Sequence, residues 1–305
     1  MGRDCPSERV PIALAEGRPE DPRLSDMLTP SVGKRPRRRG SWTRIVAGVG
    51  FLALVPALWV VRKEATAPVD LELVIAVDVS TSMSDREQRM QREGYVGALL
   101  SPEVMRAIKS GRRGRIALAY MEWARPEYLR VIVPWTVIED PTDAAGATKL
   151  IRGQPTLPQG GTSISTALLS AARLLLNSGL ESDRQVVDVS GDGPNNAGPP
   201  VERARDALIA RGVTINGLAI SIPDGQPSDM IQSFPLDYVV SYYKHCVIGG
   251  PHAFVLAVGD MGDFEMAVRK KFVAEIAGPP SSIVLAAHDA GAHALFDCSV
   301  RALGR

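Results

Sequence analysis

The sequence is poor in cysteine, has almost no net charge and contains no internal repeat. Its 305 residues include three cysteines, too few for a disulfide scaffold and without the spacing of metal ligands. The formal net charge of +1 gives no indication of a nucleic-acid partner. The chain also has no G-x-S-x-G motif, which argues against a serine hydrolase. What remains is an ordinary globular composition, long enough for one sizeable domain and additional segments.

Two of the cysteines, Cys246 and Cys298, lie far from the N-terminus. They would be able to form a disulfide if this part of the chain lies outside the cytoplasm, but spacing alone does not decide the pairing. Without a disulfide, Cys246 is expected to be a small buried residue. The sequence leaves both alternatives open.

The N-terminal segment, residues 1–44, is rich in proline, arginine and acidic residues and shows no apolar periodicity, so it is predicted to be disordered. It ends in a basic cluster consisting of Lys34, Arg35, Arg37, Arg38, Arg39 and Arg44. Residues 45–61 follow as an uncharged apolar run of about 17 residues, near the lower limit for crossing a bilayer. Basic residues before such a run favour a cytoplasmic N-terminus and export of the rest. We therefore expect a transmembrane anchor at 45–61.

A cleaved signal peptide is the alternative to an anchor. Ala65-Thr66-Ala67 provides small residues suitable for cleavage. Against cleavage, Pro68 follows the site directly, and three charged residues separate it from the apolar run. Translation from Met27 would shorten the basic leader, so the start position is also open.

From residue 69 onward, short apolar strands alternate with amphipathic helices, which predicts an α/β fold. The stretch 71–85 begins as a buried strand, and residues 86–108 are predicted to form one helix. Strands at 115–123 and 128–137 are joined by four residues, too few for a crossover helix. They must therefore form a hairpin, whose second strand lies at the sheet edge.

The rest of the domain continues the alternation. Residues 236–245 are ambiguous, and the tail at 279–305 is assigned no role. The expected architecture is a doubly wound, Rossmann-like α/β fold over residues 69–278, with a mostly parallel sheet, one antiparallel edge strand and helices on both faces. The remaining predicted helices are 142–151, 163–175, 201–211 and 260–276, and the remaining strands are 184–190, 213–220 and 253–258.

Oxygen-bearing side chains follow three of these segments. Asp78, Ser80 and Ser82 end the first strand, Thr162 follows two glycines, and Asp192 follows the strand at 184–190. The carboxyl ends of parallel strands share one edge of a sheet, so these groups are expected to converge there. All five are hard oxygen donors, which suit Mg²⁺, Mn²⁺ or Ca²⁺ better than zinc. Taken singly, each group has a simpler role as a helix N-cap or a turn residue, but together they favour a metal site.

The motifs DVSTS, GGTS and SGDG, in this order, resemble the metal-ion-dependent adhesion site (MIDAS) of von Willebrand factor type A domains. The resemblance covers about residues 69–278, and longer phrases such as DVSGDGPNN and CVIGGPHAF resemble one uncharacterised bacterial branch of that superfamily. It implies that Ser80, Ser82 and Thr162 contact the cation directly or nearly so. Asp78 and Asp192 would act partly through water.

The resemblance also implies a function. A cation held mostly by neutral hydroxyls keeps much of its charge, and its free coordination position accepts an acidic side chain from a protein ligand. We expect a non-enzymatic, cation-dependent binding module, anchored in the bacterial inner membrane with its main domain in the periplasm. Export after signal cleavage is the alternative location.

Two rival functions are considered. GDGPNN resembles a late motif of haloacid-dehalogenase-type phosphatases, in which Asp78 would be the nucleophile. That chemistry needs a second acid two residues after the nucleophile, where this chain has Ser80, and Asn196 replaces the last acid of the motif. The other rival is a structural module whose metal site stays unoccupied.

Overall fold

The computed structural model describes residues 67–83, 85–155, 157, 159–222, 234–278 and 297–299. The predicted disordered segment at 1–44 and the predicted anchor at 45–61 lie outside these residues. Within the described ranges, no helix has the length and apolar character needed to cross a membrane.

A six-stranded sheet forms the centre of the domain, with the strand order β3-β2-β1-β4-β5-β6. All neighbouring pairs are parallel except β2 and β3. Because β1 lies inside the sheet, it is buried almost completely, as expected from its apolar run at 73–77. The strands are β1 (Val69–Asp78), β2 (Ile116–Trp123), β3 (Leu129–Ile138), β4 (Ser182–Gly191), β5 (Thr214–Ile220) and β6 (Val255–Val258).

The hairpin predicted from the short link at 124–127 is confirmed. Strands β2 and β3 pair antiparallel, with Trp123 opposite Leu129 next to the turn and Ile116 opposite Ile138 at the far end. Strand β3 forms one edge of the sheet, as predicted. Its Pro134 is compatible with this edge position, where a missing backbone N–H is tolerated.

Helices cover both faces of the sheet. The core on one face is formed with α1, α2, α3 and α7, and the core on the other with α4, α5 and α6. This arrangement confirms the predicted doubly wound α/β architecture. The helices are α1 (Asp85–Leu99), α2 (Pro102–Ser110), α3 (Pro141–Arg152), α4 (Ile164–Leu176), α5 (Val201–Ile209), α6 (Leu236–Tyr242) and α7 (Phe264–Ala277).

The single helix predicted at 86–108 is wrong, because the structure divides this region into α1 and α2. Ser101 is the N-cap of α2, and its hydroxyl accepts a hydrogen bond from the backbone N–H of Val104 at 3.3 Å. Pro102 occupies the first helical position, where its missing N–H costs nothing. The Ser-Pro pair was therefore a local signal for a new helix start that the apolar periodicity concealed.

The ambiguous segment at 236–245 is helical. Helix α6 continues into a π-helical turn, Tyr243–Val247, and Cys246 within this turn is fully buried. Cys246 forms a disulfide with Cys298, across 52 positions of sequence. The pairing that the sequence left open is present, and it attaches residues 297–299 to the domain.

Candidate metal site at the carboxyl ends of the strands

The predicted site residues of the first and third loops lie at the same edge of the sheet. Strands β1 and β4 are parallel neighbours, with Val77 paired to Ser190, so Asp78 at the end of β1 lies near Asp192, which follows the end of β4. Strand β1 is also the point from which the sheet extends in both directions, towards β2 on one side and β4 on the other. Ligands of open α/β sheets bind outside such a switch point.

The first loop holds its polar groups close together. Oδ1 of Asp78 accepts a hydrogen bond from the backbone N–H of Ser80 at 2.7 Å, which turns the chain sharply at the end of β1. The hydroxyls of Ser80 and Ser82 are 2.9 Å apart, as expected from their alternate positions. Asp78 and Ser80 are buried, whereas Ser82 is only partly buried and lies nearer the surface.

Asp192 joins the first loop directly. The hydroxyl of Ser82 donates a hydrogen bond to Oδ1 of Asp192 at 2.9 Å. Ser80, Ser82 and Asp192 therefore form a continuous chain of contacts between the two loops. The structure therefore brings together four of the five predicted residues. Asp78 is included because its side chain accepts a hydrogen bond from the backbone of Ser80.

Thr162 is attached to the Asp192 loop through its backbone. Its N–H donates to Oδ1 of Asn196 at 2.8 Å, and its carbonyl oxygen accepts from the backbone N–H groups of Asn196 and Ala197 at 2.9 and 3.1 Å. Gly161, just before it, has a φ of +85°, a conformation that glycine adopts without strain. Thr162 itself is buried. The paired glycines therefore allow the tight turn that delivers Thr162 to the third loop.

Asn195 and Asn196 are structural residues of the site that the sequence interpretation missed. Oδ1 of Asn195 accepts a hydrogen bond from the backbone N–H of Ser165 at 3.0 Å, in the first turn of α4. Asn196 binds Thr162, as described above. Both belong to the motif DVSGDGPNN, but the sequence interpretation assigns neither of them a role in the metal site. Their short amide side chains were the one available signal, because asparagine commonly binds backbone groups in loops.

The loop before Thr162 also contacts the first loop. The backbone N–H of Thr81 donates to the carbonyl of Gln159 at 2.9 Å, and the N–H of Gln159 donates to the carbonyl of Val79 at 3.1 Å. These bonds form an isolated parallel bridge between Ser80 and Gln159. All three loops are thus connected to one another by hydrogen bonds.

The two carboxyl groups lie in an electrostatically unfavourable environment. Burial raises the pKa of Asp78 well above its usual value, and the neighbouring Asp192 raises it further. Burial likewise raises the pKa of Asp192 to about 6, although the hydrogen bond from Ser82 opposes the shift. Oδ2 of Asp78 has no hydrogen-bond partner among the described residues. A positive charge between these carboxylates would offset the cost of ionising both.

Gly191 shows how closely the groups approach. A Cβ at this position would lie 2.5 Å from the Tyr243 hydroxyl and 3.0 Å from Oδ2 of Asp78, so no larger residue fits without movement. The Tyr243 hydroxyl is itself buried beside the site, and burial together with the charge of Asp78 raises its pKa well above the usual value. Tyr243 therefore remains a neutral phenol.

The donor set suits a hard divalent cation. It offers carboxylate and hydroxyl oxygens, which Mg²⁺, Mn²⁺ and Ca²⁺ accept. Among the described residues no group of three or more His, Cys, Asp or Glu side chains is arranged to hold a metal. A metal bound at this edge would consequently depend on the hydroxyls of Ser80, Ser82 and Thr162 in addition to the two carboxylates. The unpartnered Oδ2 of Asp78 is consistent with such a site.

Several solved structures are similar to this chain. One described as von Willebrand factor type A from Catenulispora acidiphila has 16% identity, covering 69% of this chain and 43% of that one, with a TM-score of 0.48. Proximal thread matrix protein 1 from the mussel byssus, with a zinc-occupied MIDAS motif, has 17% identity, coverages of 69% and 48%, and a TM-score of 0.50. An aerotolerance-related membrane protein from Bacteroides fragilis has 18% identity, coverages of 66% and 98%, and a TM-score of 0.42.

At a TM-score of 0.50, the described domain shares the fold of the mussel byssus protein, which agrees with the fold that the motifs predict. The chain spans less than half the length of the first two of these structures. A family model named "Protein of unknown function (DUF1194)" matches residues 68–280, and the chain belongs to this family. A search of curated proteins found no match.

Proposed function

We propose that this protein is a divalent-cation-dependent binding module of the adhesion type, displayed outside the cytoplasm. One observation carries the proposal: Ser80, Ser82 and Asp192 are linked by hydrogen bonds at the switch point of the sheet, next to the buried carboxylate of Asp78. Thr162 is tied to the same loops through Asn196. In this proposal Ser80, Ser82 and Thr162 hold the cation, and Asp78 and Asp192 complete the site, partly through water.

The charge of the site favours binding of an acidic partner. The two carboxylates formally neutralise a divalent cation. Each carboxylate also accepts a hydrogen bond from the protein, however, and in the proposed site the ligands nearest to the cation are neutral hydroxyls. The cation keeps the capacity to attract a further carboxylate. The proposed ligand is therefore a protein that presents an aspartate or glutamate side chain to the metal.

The mussel thread matrix protein supports this proposal, because a protein of the same fold has a zinc-occupied MIDAS motif. Because the identity is only 17%, the similarity is limited to the fold. The particular cation and ligand of this chain are argued from its own oxygen donors, which favour Mg²⁺ and Mn²⁺ over zinc.

Display outside the cytoplasm rests on two features. The basic cluster before the apolar run at 45–61 favours a cytoplasmic N-terminus and export of the following domain. The disulfide between Cys246 and Cys298 favours an oxidising compartment, since such bonds are rare in the cytosol. We propose the bacterial periplasm, with the protein held in the inner membrane or released after cleavage.

Calorimetry on the full-length protein in detergent tests the metal site. Mg²⁺ or Mn²⁺ is expected to bind the wild type, and Ser80→Ala and Asp192→Ala are expected to abolish binding. Ser170→Ala is the matched control, because it deletes another buried hydroxyl in the middle of α4. The proposal is refuted if the wild type binds neither cation, or if both site variants bind as well as the control.

A pull-down tests the ligand class. Immobilised wild type is incubated with an extract of its own cells in Mg²⁺ or in chelator, beside the Asp192→Ala variant. A partner recovered only with Mg²⁺ and only by the wild type supports the proposal. Substituting the acidic residues on the partner's contacting surface should then remove binding. A partner retained equally in chelator contradicts a role for the cation.

Hydrolysis of phosphate esters is the competing activity for the same residues. Asp78 is fully buried, and one of its oxygens is already bound by the N–H of Ser80, which makes it a poor nucleophile. The wild type is expected to show no turnover of a general phosphate ester. A turnover that Asp78→Asn removes, while Ser170→Ala preserves it, would favour the phosphatase.

A further inference from the structure

Helix α1 contacts both of the loops that carry hydroxyl groups. Three polar side chains on one side of the helix, Gln88, Gln91 and Arg92, make these contacts and are buried despite their polarity. We call this set the α1 clamp. Their burial is not predictable from sequence patterns, because glutamine and arginine in a surface helix usually face solvent.

The two glutamines of the α1 clamp bind the first loop. Nε2 of Gln91 donates to the carbonyl oxygen of Asp78 at 2.9 Å. Nε2 of Gln88 lies 3.3 Å, 3.4 Å and 3.3 Å from the carbonyl oxygens of Val79, Ser80 and Met83. The carbonyl oxygens of Val79 and Ser80 also accept backbone hydrogen bonds, so the buried amide adds a second contact to each of them. The loop backbone is held from the side facing α1, while the hydroxyls of Ser80 and Ser82 remain with Asp192.

Arg92 binds the second loop at its beginning. Its Nη1 donates to the carbonyl oxygen of Gln154 at 2.6 Å, and its Nη2 donates to that of Pro155 at 2.9 Å. The guanidinium charge is balanced by Glu122 of β2, which accepts from Nε at 2.6 Å. Arg130 holds the side chain of Gln154 from the other direction. The start of the loop that leads to Thr162 is therefore fixed to α1 and to the sheet.

The α1 clamp therefore attaches both hydroxyl-bearing loops to the same helix. The same helix holds the backbone of Asp78 and Ser80 at one point and the backbone of Gln154 and Pro155 at another. We infer that Gln88, Gln91 and Arg92 are positioning residues that keep the oxygen ligands close enough for Mg²⁺ and so favour it over Ca²⁺. This inference rests on the proposed metal site.

The two cations differ in how much rigidity they need. Mg²⁺ requires near-octahedral ligands at about 2.0–2.1 Å, whereas Ca²⁺ accepts irregular geometry at about 2.3–2.6 Å. Loosening the loops should therefore weaken Mg²⁺ binding much more than Ca²⁺ binding. A change in selectivity of this kind would not follow from a general loss of stability.

Arg92→Lys is the most informative substitution. Lysine keeps a positive charge beside Glu122, so the buried carboxylate is not left alone. Its single ammonium group does not reproduce the planar fork that binds Glu122 and two carbonyls at once. We expect Mg²⁺ affinity to fall about tenfold or more, in line with other residues that orient metal ligands. Ca²⁺ affinity should change by less than about threefold.

Arg205→Lys provides the matched control. Arg205 lies on the opposite face of the sheet and, like Arg92, is only 6% exposed. Its guanidinium donates to two backbone carbonyls, those of His245 and Cys246. The control should lose stability to a similar degree without changing the ratio of the Ca²⁺ and Mg²⁺ dissociation constants. Thermal unfolding in chelator measures the stability of both variants.

Calorimetric titration of the full-length protein with each cation decides between the outcomes. A lowered preference for Mg²⁺ in Arg92→Lys, absent in Arg205→Lys, supports the positioning role. An unchanged preference in Arg92→Lys, or an equal change in the control, overturns it. Should Arg92→Lys fail to fold, Gln88→Met tests the same role, because it removes the amide donors while keeping the side-chain length. A wild type that binds neither cation refutes the proposed metal site itself, and the role of the α1 clamp with it.

Discussion

The Ser82 hydroxyl donates a hydrogen bond of 2.9 Å to the carboxylate of Asp192, although 110 positions separate the two residues in the sequence. The bond exists because β1 and β4 are parallel neighbours and end at the same edge. It links the loop after one strand to the loop after the other without any direct backbone pairing between Ser82 and Asp192. The candidate site is therefore a product of sheet topology, and perturbations of the sheet and its helices should affect it.

The contact between α1 and α7 depends on a glycine. A Cβ on Gly94 would lie 2.4 Å from Cδ1 of Phe264, so Gly94→Ala forces the two helices apart. We expect a loss of about 1–3 kcal/mol in the free energy of unfolding. Gly146→Ala is the control, because Gly146 is an exposed position in α3 with nothing within 4 Å of the new methyl group.

That control should instead stabilise the protein by about 0.5–1 kcal/mol, since alanine has the higher helix propensity. Urea unfolding of both variants measures the difference. Effects of opposite sign are expected, and two stabilised variants would mean that α1 and α7 do not pack as closely as described.

A buried charged cluster makes stability depend on pH. Nζ of Lys271 lies 2.7 Å from Oδ1 of Asp188 and also contacts Glu275, so one cation serves two carboxyl groups. Burial and then the charge of Asp188 raise the pKa of Glu275 to about 7. Because the folded state holds this proton more tightly than the unfolded state, the free energy of unfolding should fall as pH rises from about 4.5 through 7.

Glu275→Gln should remove much of that dependence. Glutamine mimics the protonated acid and still offers an oxygen to Asn216 and Lys271. At pH 8 the variant is expected to be more stable than the wild type by roughly 1–3 kcal/mol, with a smaller difference at pH 5. Chemical unfolding across this range is the measurement. The exposed Glu265→Gln is the control, and a Glu275→Gln profile parallel to that control contradicts the prediction.

The disulfide predicts how many free thiols the protein contains. The protein is purified from its own cells without reductant, unfolded in guanidinium and titrated with a thiol reagent. One reactive thiol of three is expected, that of Cys5, because Cys246 and Cys298 are bonded. None would indicate that the leader carrying Cys5 has been removed, and three would contradict both the disulfide and the proposed export.

Cys298→Ala tests what the disulfide contributes to stability. The bond closes a loop across 52 positions, so its loss should lower the free energy of unfolding by about 2–4 kcal/mol. Two thiols should then react, those of Cys5 and Cys246. An unchanged urea midpoint would show that the attachment of residues 297–299 does not stabilise the domain.

Topology is tested by a reporter at the C-terminus. An alkaline phosphatase fused after Arg305 is active only outside the cytoplasm, and we expect activity. Deleting residues 45–61 from the same fusion should abolish it, which excludes leakage. An inactive fusion with normal expression contradicts the proposed orientation.

Much of the fold was predictable because it depends on local patterns. Apolar runs such as 73–77 identify buried strands, and the four-residue link at 124–127 leaves an antiparallel hairpin as the available connection. The order of the oxygen-bearing motifs after successive strands predicted their convergence at one edge. The break at Ser101 and Pro102 was also encoded locally, but apolar periodicity on both sides obscured it.

The sequence by itself determined the alternation of strands and helices and the presence of Asp78, Ser80, Ser82, Thr162 and Asp192 after strand or loop ends. Only the tertiary structure decided which side chains connect the loops. Asn195, Asn196 and Arg92 bind backbone groups that are 30 to 63 positions away in the sequence. The two glutamines of the α1 clamp bind the loop that precedes their own helix. Cys246 and Cys298 meet for the same reason. Such contacts depend on how helices pack on the sheet, and hydrophobic periodicity carries no information about their polar partners.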